Sequence, residues 1–423
     1  MRAPGPKGNL VLGSLQPFSK DSLGFLGNMI ASYGDVVRLR FAHVQTHLIN
    51  DPDLIEDVLL RRSNAFDKNT RSVAKIQSTC GDSLLSANET AWTRHKKLIQ
   101  PAFLRQYIEN CDPQIDAITH EMTIRWHKFA QAGTPIDIVS EMMHLVITIS
   151  AKVLFGTQVN SELLETALDV VLADTWRRLQ SPIDFSNLSP ALHRPKFKRA
   201  KAQIDEIVFD IITERRNSNK THDDVLSWLL TAHKSENNPS LSNQELRDAA
   251  LTLLLAGHET TATALAWSVI SIARAPQSGL EAANMEHIFA ETVRLYPSIW
   301  IIERRVKQDM QLGDYDIKKG SSVLICPYLL HRHKSHWPDA ETFNPARFES
   351  QNMDNRIRNT YLPFGQGKHS CIGKHLSKRI ATRVLENVYA KFRLELNPRQ
   401  SLELDAGITL RHKNPVMMTL KPL

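Results

Sequence analysis

Phe364-Gly365-Gln366-Gly367-Lys368-His369-Ser370-Cys371-Ile372-Gly373 decides how this 423-residue chain is read. Two glycines precede the cysteine and a third follows two residues later, which predicts a tight turn and close backbone approach. Helical patterning begins at Lys374 and runs to about Phe392, so Cys371 falls beside a helix N-terminus. Free N–H groups and the helix dipole there favour a thiolate. A cysteine presented this way is a nucleophile or a metal ligand. A nucleophile needs a base, and His369 is the only local candidate. Structural zinc needs further spaced Cys or His residues, which the loop lacks. A thiolate on a haem iron needs only the one cysteine.

Further upstream, residues 243–274 read as one long helix. Ser242 with Glu245 three residues later is a capping-box signal. The run from Ala249 to Ala256 is apolar around most of its circumference, the mark of a helix crossing a large core. Gly257-His258-Glu259-Thr260-Thr261 then interrupts it with a carboxylate and two hydroxyls. Burying that carboxylate is costly unless it is paired or wetted, and a Thr hydroxyl can bend the helix by bonding a carbonyl one turn back. Spacing alone leaves a solvated face and a proton-relaying break equally open.

The rest of the chain frames these two features. With 42% hydrophobic and 23% charged residues, disorder is excluded, and four cysteines are too few for a disulfide scaffold. A reduced, cytoplasmic protein is expected. No run of about 18 apolar residues predicts a transmembrane helix, and the Pro- and Gly-rich start lacks the apolar core of a signal peptide. Period-2 alternation predicts a strand over 35–41, and Asp51-Pro52 opens a helix through Leu60. Strand patterns return over 309–324 and 404–420. Length alone suggests two or three domains. Without repeats or Gly/Ser linkers, one unit over 1–423 is expected: mainly α with small β-sheets (α+β). Its β-rich parts lie near 30–60, 300–330 and the C-terminus, and its helical body over 91–395.

Four motifs carry a family resemblance. FGQGKHSCIG resembles the haem-thiolate signature of the cytochrome P450 superfamily, and Ala256-Gly257-His258-Glu259-Thr260-Thr261 resembles its distal-helix motif. Glu291-Thr292-Val293-Arg294 is similar to its Glu-x-x-Arg element, and Pro345-Ala346-Arg347-Phe348 to its Pro-x-Arg-Phe element. The order matches and the likeness spans nearly the whole chain. It is identified as a member of the soluble, bacterial-type branch, with a triangular helix-rich body around a buried haem b.

The resemblance implies roles. Cys371 is the iron ligand, Phe364 packs against its loop, and Gly367 and Gly373 permit the turn and approach to porphyrin. Glu259 and Thr260 deliver protons to dioxygen bound at the iron, and Gly257 lets dioxygen and substrate near the helix. Glu291, Arg294 and Arg347 form a structural ionic cluster. Trp92, Lys96, Arg304 and His369 hold the haem propionates, with Arg305 the alternative to Arg304. Leu85, Leu253, Ala256, Ile299, Ile301 and Ile408 line an apolar pocket suited to a terpenoid, fatty acid or polyketide.

Two departures stand out. His369 replaces the family's commoner Arg, and the connection from Trp267 to Glu291 is short by roughly a helix and a loop. His331, His333 and His336 have irregular spacing and read as packing or surface residues, and Cys80, Cys111 and Cys326 as incidental thiols.

The stretch Gly365–Leu385 contains no acid and carries Lys368, Lys374, Lys378, Arg379 and Arg383; Lys97 and Arg105 extend this basic strip. It suits an acidic ferredoxin or flavodoxin, with its reductase, as electron donor. A second basic run, His193–Arg199, suits an anionic surface or a carboxylated substrate. No motif supports nucleic acid, and a monomer is expected. The leading function is a monooxygenase of hydrophobic small molecules. The alternatives are a haem-thiolate peroxygenase, a desaturase or coupling enzyme, and a non-catalytic haem-binding sensor or carrier.

Overall fold

The long central helix runs Asn243–Arg274 in a computed structural model that describes residues 1–157, 161–180, 195–218, 224–231, 241–275, 284–349 and 359–423. Its capping box is complete: Glu245 N–H donates to Ser242 Oγ at 3.2 Å and Ser242 N–H to Glu245 Oε2 at 2.8 Å. Most of its circumference is buried, and Leu251, Leu254, Leu265 and Ile270 belong to the largest apolar cluster. The accessible exceptions in its middle are Ala256, Gly257 and Thr260, spaced to share one side of the helix.

Helix Ile138–Phe155 packs along it. Among the described residues this is the one helix long and apolar enough to cross a membrane, yet most of it is buried inside the protein. Helices Met285–Leu295 and Lys374–Tyr389 pack against the long helix and each other. The described residues contain no helix between Arg274 and Met285. There the short connection is bridged by ring stacking of Trp267 on Tyr296 at 3.9 Å.

The main sheet has five strands, ordered Val36–Phe41, Val44–Ile49, Ser322–Ile325, Ile302–Val306 and Phe66–Asp67. The pairing Leu48↔Leu324 is parallel and joins distant parts of the chain, and the antiparallel pairing Asp67↔Arg305 places Arg304 beside the segment 66–68. Both sheet faces are covered: Val37, Leu39 and Leu48 pack with Trp300, while Val36, Ile49 and Val323 pack with Val58 and Leu59. Asp51 caps Pro52–Glu56 as expected, and the helix then widens into a π turn, Asp57–Arg61.

Two boundaries differ from expectation. Helices already occupy Ser22–Tyr33 and Arg71–Cys80, before the expected helical body. The helix after the cysteine stops at Tyr389 because Phe392 begins a strand, Phe392–Leu396, paired in register with Met417–Pro422. Long-range pairing overrides the local helical pattern there. A hairpin, Leu404–Ala406 with Leu410–His412, reaches back to the long helix.

Candidate active site

Cys371 is accessible yet enclosed by protein, so it opens into a recess rather than onto the outer surface. Its N–H donates to Phe364 O at 2.9 Å, closing the loop. Gly365 and Gly367 have φ of +65° and +74°, which demands glycine. At Gly367 a Cβ would also collide with the Leu59 carbonyl in the π turn. Gly373 precedes helix Lys374–Tyr389, and the N–H groups of Gly373 and Lys374 point at the Cys371 sulfur. Burial nevertheless pushes the thiol above its ordinary pKa and outweighs those N–H groups and the Lys374 charge. The helix terminus therefore supports a thiolate without producing one alone.

Across the loop lies a nest of cations. The Trp92 and His369 rings sit 4.1 Å apart, and the ammonium groups of Lys96 and Lys68 lie 5.0 and 5.4 Å from the Trp92 ring centre. Lys96 Nζ donates to Lys368 O at 2.6 Å and Lys68 Nζ to Leu84 O at 2.9 Å. Arg304 joins them, with one hydrogen bond to Glu303 O at 2.9 Å. Arg305 points elsewhere and is gripped by Asp67 at 2.9 and 3.2 Å.

The crowding has a cost. Burial, then the neighbouring Arg304, lowers Lys68 to about 8. Burial lowers Arg304 to about 10. Burial and the surrounding cations lower His369 to about 3, and both its ring nitrogens are buried without a hydrogen bond. Like charges gathered around orphaned donors fit a dianionic ligand. Lys68 carried no motif signal in the sequence.

On the accessible side of the long helix, Thr260 Oγ1 donates back to Ala256 O at 2.6 Å. Ser298 Oγ donates to Thr260 O at 2.7 Å and draws Ile299 to the same place. Leu85, Ala256 and Ile299 are accessible; Ile408 is half-buried. Leu253 is instead buried in the main cluster, and Ile301 packs beside Trp300. A Cβ at Gly257 would sit an ordinary 3.7 Å from Ser150 Oγ, so packing against helix Ile138–Phe155 does not demand glycine. Glu259 turns away from Thr260 toward the C-terminal hairpin, with Oε1 3.6 Å from Arg411 Nη1. Burial pushes its carboxyl above the ordinary range, and Thr409 and Arg411 pull it back. The sequence contained no hint of Arg411.

Glu291 and Arg294 are fully buried in bidentate contact at 2.7 and 2.8 Å. Arg294 also donates to the carbonyls of His331, Ala340 and Thr342, and Arg347 Nε reaches Glu291 at 3.3 Å. His331 does more than pack: its Nδ1 donates to Arg294 O at 2.9 Å, and its Nε2 accepts from Leu362 N–H at 2.8 Å. Buried and lowered to about 3, it stays neutral and ties the ionic cluster to the start of the cysteine loop.

The basic strip is largely neutralised from outside its own stretch. Arg379 pairs with Asp112, Arg383 with Asp116, Lys378 with Glu286 and Lys368 with Glu89; Arg105 pairs with Glu109. Among the described residues, Lys97 and Lys374 remain exposed without an ion pair. His193 and Arg194 lie outside the described residues, and 195–199 open helix Pro195–Asn217 rather than a loop.

A thiol on a glycine turn at a helix start, a cation nest at the same loop and a hydroxyl-bearing break in a buried helix are together a donor set that fits a haem-thiolate protein. A family model for Cytochrome P450 matches residues 3–279 and 284–419, and the chain belongs to that family. It is similar to Cyclooctatin synthase of Streptomyces melanosporofaciens, at 28% identity over 95% of this chain and 93% of that protein. It also resembles Pentalenene oxygenase of Streptomyces avermitilis, at 26% over 97% and 95%. A third relative is Cyclooctat-9-en-7-ol 5-monooxygenase of Streptomyces melanosporofaciens, at 27% over 93% and 89%. The cofactor is haem b and the enzyme class is P450 monooxygenase, working with a redox partner on a small molecule.

Proposed function

We propose that this enzyme oxidises a hydrophobic, terpenoid-like molecule with dioxygen, fed electrons by an acidic ferredoxin or flavodoxin and its reductase. The observation that carries the substrate class is the accessible apolar pair Ala256 and Ile299, tied to Thr260 through the helix turn and through Ser298. The names of the relatives above support the same class.

In this reading Cys371 holds the iron, and Lys68, Lys96, Arg304, His369 and Trp92 hold the haem carboxylates. The bound haem supplies dioxygen activation and the positive charge that favours the Cys371 thiolate. Thr260, whose hydroxyl donates to Ala256 O, would hold a proton on the accessible side of the helix for the chemistry the haem would supply, and Glu259 would replenish it. Glu291, Arg294 and Arg347 keep the core in register. Lys97 and Lys374 supply the unpaired positive charge for docking the donor. The whole chain forms one haem-enclosing unit, monomeric and cytoplasmic, consistent with four free thiols.

The test is a screen of substrate-induced spin-state shifts with size-matched terpenes, fatty acids and polyketides. Terpenes are expected to give the strongest shifts; a response confined to fatty acids overturns the substrate class. Thr260→Ala is expected to divert electrons from product to peroxide. Unchanged coupling removes the proposed role of Thr260.

A further inference from the structure

The buried face of the long helix opposite the C-terminal hairpin holds polar groups that its packing leaves unused. Thr263 lies one turn after Glu259 and shares its face. Thr260 and Ser268 each bond the carbonyl four residues back, at 2.6 and 2.8 Å. Thr263 does not: its buried hydroxyl has no hydrogen-bond partner. Thr409, buried on the hairpin, approaches Glu259 closely enough to lower its pKa, yet its hydroxyl also lacks a hydrogen bond of ordinary length. Arg411 stands 3.6 Å from Glu259, beyond direct hydrogen-bond reach.

Buried polar groups are ordinarily paired, and a buried water needs two to four polar partners. Glu259, Thr263, Thr409 and Arg411 together provide four. The far side of Arg411 reaches the surface: its Nε lies 3.1 Å from Asp405 Oδ2, and both side chains are more than one-third exposed. Asp169, on helix Ser161–Gln180, is the other charged group facing this cluster, with Glu165 beside it. In the other direction the seam is closed by the Trp267 ring, stacked at 3.6 Å on His412.

We infer that water held by Thr263, Thr409 and Arg411 connects Glu259 to bulk solvent at Arg411 and Asp405, making these three residues the proton inlet of the enzyme. The inference rests on the proton-delivery reading of Glu259 and Thr260. Each transfer forms one O–H bond on the Glu259 carboxylate and breaks one on the donor water, which solvent reprotonates. Glu259 and Thr260 are adjacent but face different ways, so the carboxyl receives its proton from the hairpin side and releases it on the Thr260 side. Arg411 and Thr409 are positioning residues, acting through water and through Glu259.

The experiment follows the infrared C=O band of protonated Glu259 in the haem-loaded enzyme, assigned by its loss in Glu259→Gln. Thr263→Val and Thr409→Val are near-isosteric and should slow hydrogen–deuterium exchange of that band at least tenfold. Arg411→Met should move its titration upward in pH, because the cation favouring the carboxylate is gone, and Arg411→Lys should restore it. Coupling should fall in the same variants that slow exchange. Exchange at the wild-type rate in both valine variants overturns the inlet. If that occurs while Thr260→Ala still uncouples, the inlet is wrong and the proton-delivery reading stands. If Thr260→Ala leaves coupling intact, the reading itself falls.

Discussion

Arg294 and Arg304 sit on consecutive elements, a helix and the strand after it, and both guanidinium groups are largely enclosed. Arg294 has two bonds to Glu291 and three to backbone carbonyls, so every donor it carries is answered within the chain. Arg304 has one bond, to its neighbour's carbonyl; it stands near Lys68 and His369 and feels Glu89 and Glu303 only at a distance, with no carboxylate bonded to it. The first arrangement is complete and can only be scaffold. The second leaves donors unanswered within the chain, which supports the proposal that Arg304 binds a haem carboxylate. Saturation of hydrogen bonding thus separates structural from binding charge where burial alone does not.

The largest expected effect breaks the saturated side. Glu291→Ala strands Arg294 without its carboxylate, at a cost of about 3–5 kcal/mol. Chemical unfolding and the yield of haem-loaded protein measure it; a loss under about 1 kcal/mol would place the cluster with ordinary surface pairs.

Next comes the unsaturated side. Arg304→Gln removes a charged donor to the haem carboxylates, worth about 1.5–3 kcal/mol, so haem affinity should drop roughly ten- to a hundredfold. The apoprotein should unfold no more easily, because repulsion within the nest is relieved.

Lys68 sharpens the contrast through pH. Its pKa in the folded apoprotein is lowered to about 8, by burial first and by Arg304 second. Above that pH it loses the charge that a haem carboxylate needs, so haem affinity should fall as pH rises through 8. Over the interval from 8 to the ordinary lysine value, the unfolded chain binds more protons than the folded apoprotein, so apoprotein stability should rise. Opposite slopes in Soret titrations and apoprotein unfolding are the expected signature, and Lys68→Met should flatten both.

Smallest of all is Arg305→Gln. Its partly exposed pair with Asp67 is worth about 0–1 kcal/mol, and haem affinity should not change. A loss matching that of Arg304→Gln would erase the distinction between the two neighbours.

Much of this was legible in the sequence because the signals are local. The capping box at Ser242, the Pro52 helix start and the Glu291–Arg294 contact each lie within four residues. The glycine turn before Cys371 is likewise a property of its own backbone. What escaped came from distant segments. The strip Lys368–Arg383 looked free because its partners Glu89, Asp112, Asp116 and Glu286 lie on other helices. His331 looked incidental because its bonds go to Arg294 and Leu362. Lys68 belongs to no motif and joins the cation nest through the antiparallel pairing of Phe66–Asp67 with Ile302–Val306, segments far apart in the chain.

By itself, the sequence determined that a cysteine is presented on a glycine turn at a helix start, and that a long buried helix carries an acid and an alcohol at its break. Backbone φ preferences, capping and periodicity act over a few residues and need no knowledge of the rest. Only the tertiary structure decided which cations are spent on ion pairs and which remain for a ligand. It alone turned Glu259 toward Arg411 and away from Thr260. Charge compensation and burial depend on groups brought together from opposite ends of the chain, and no local pattern records them.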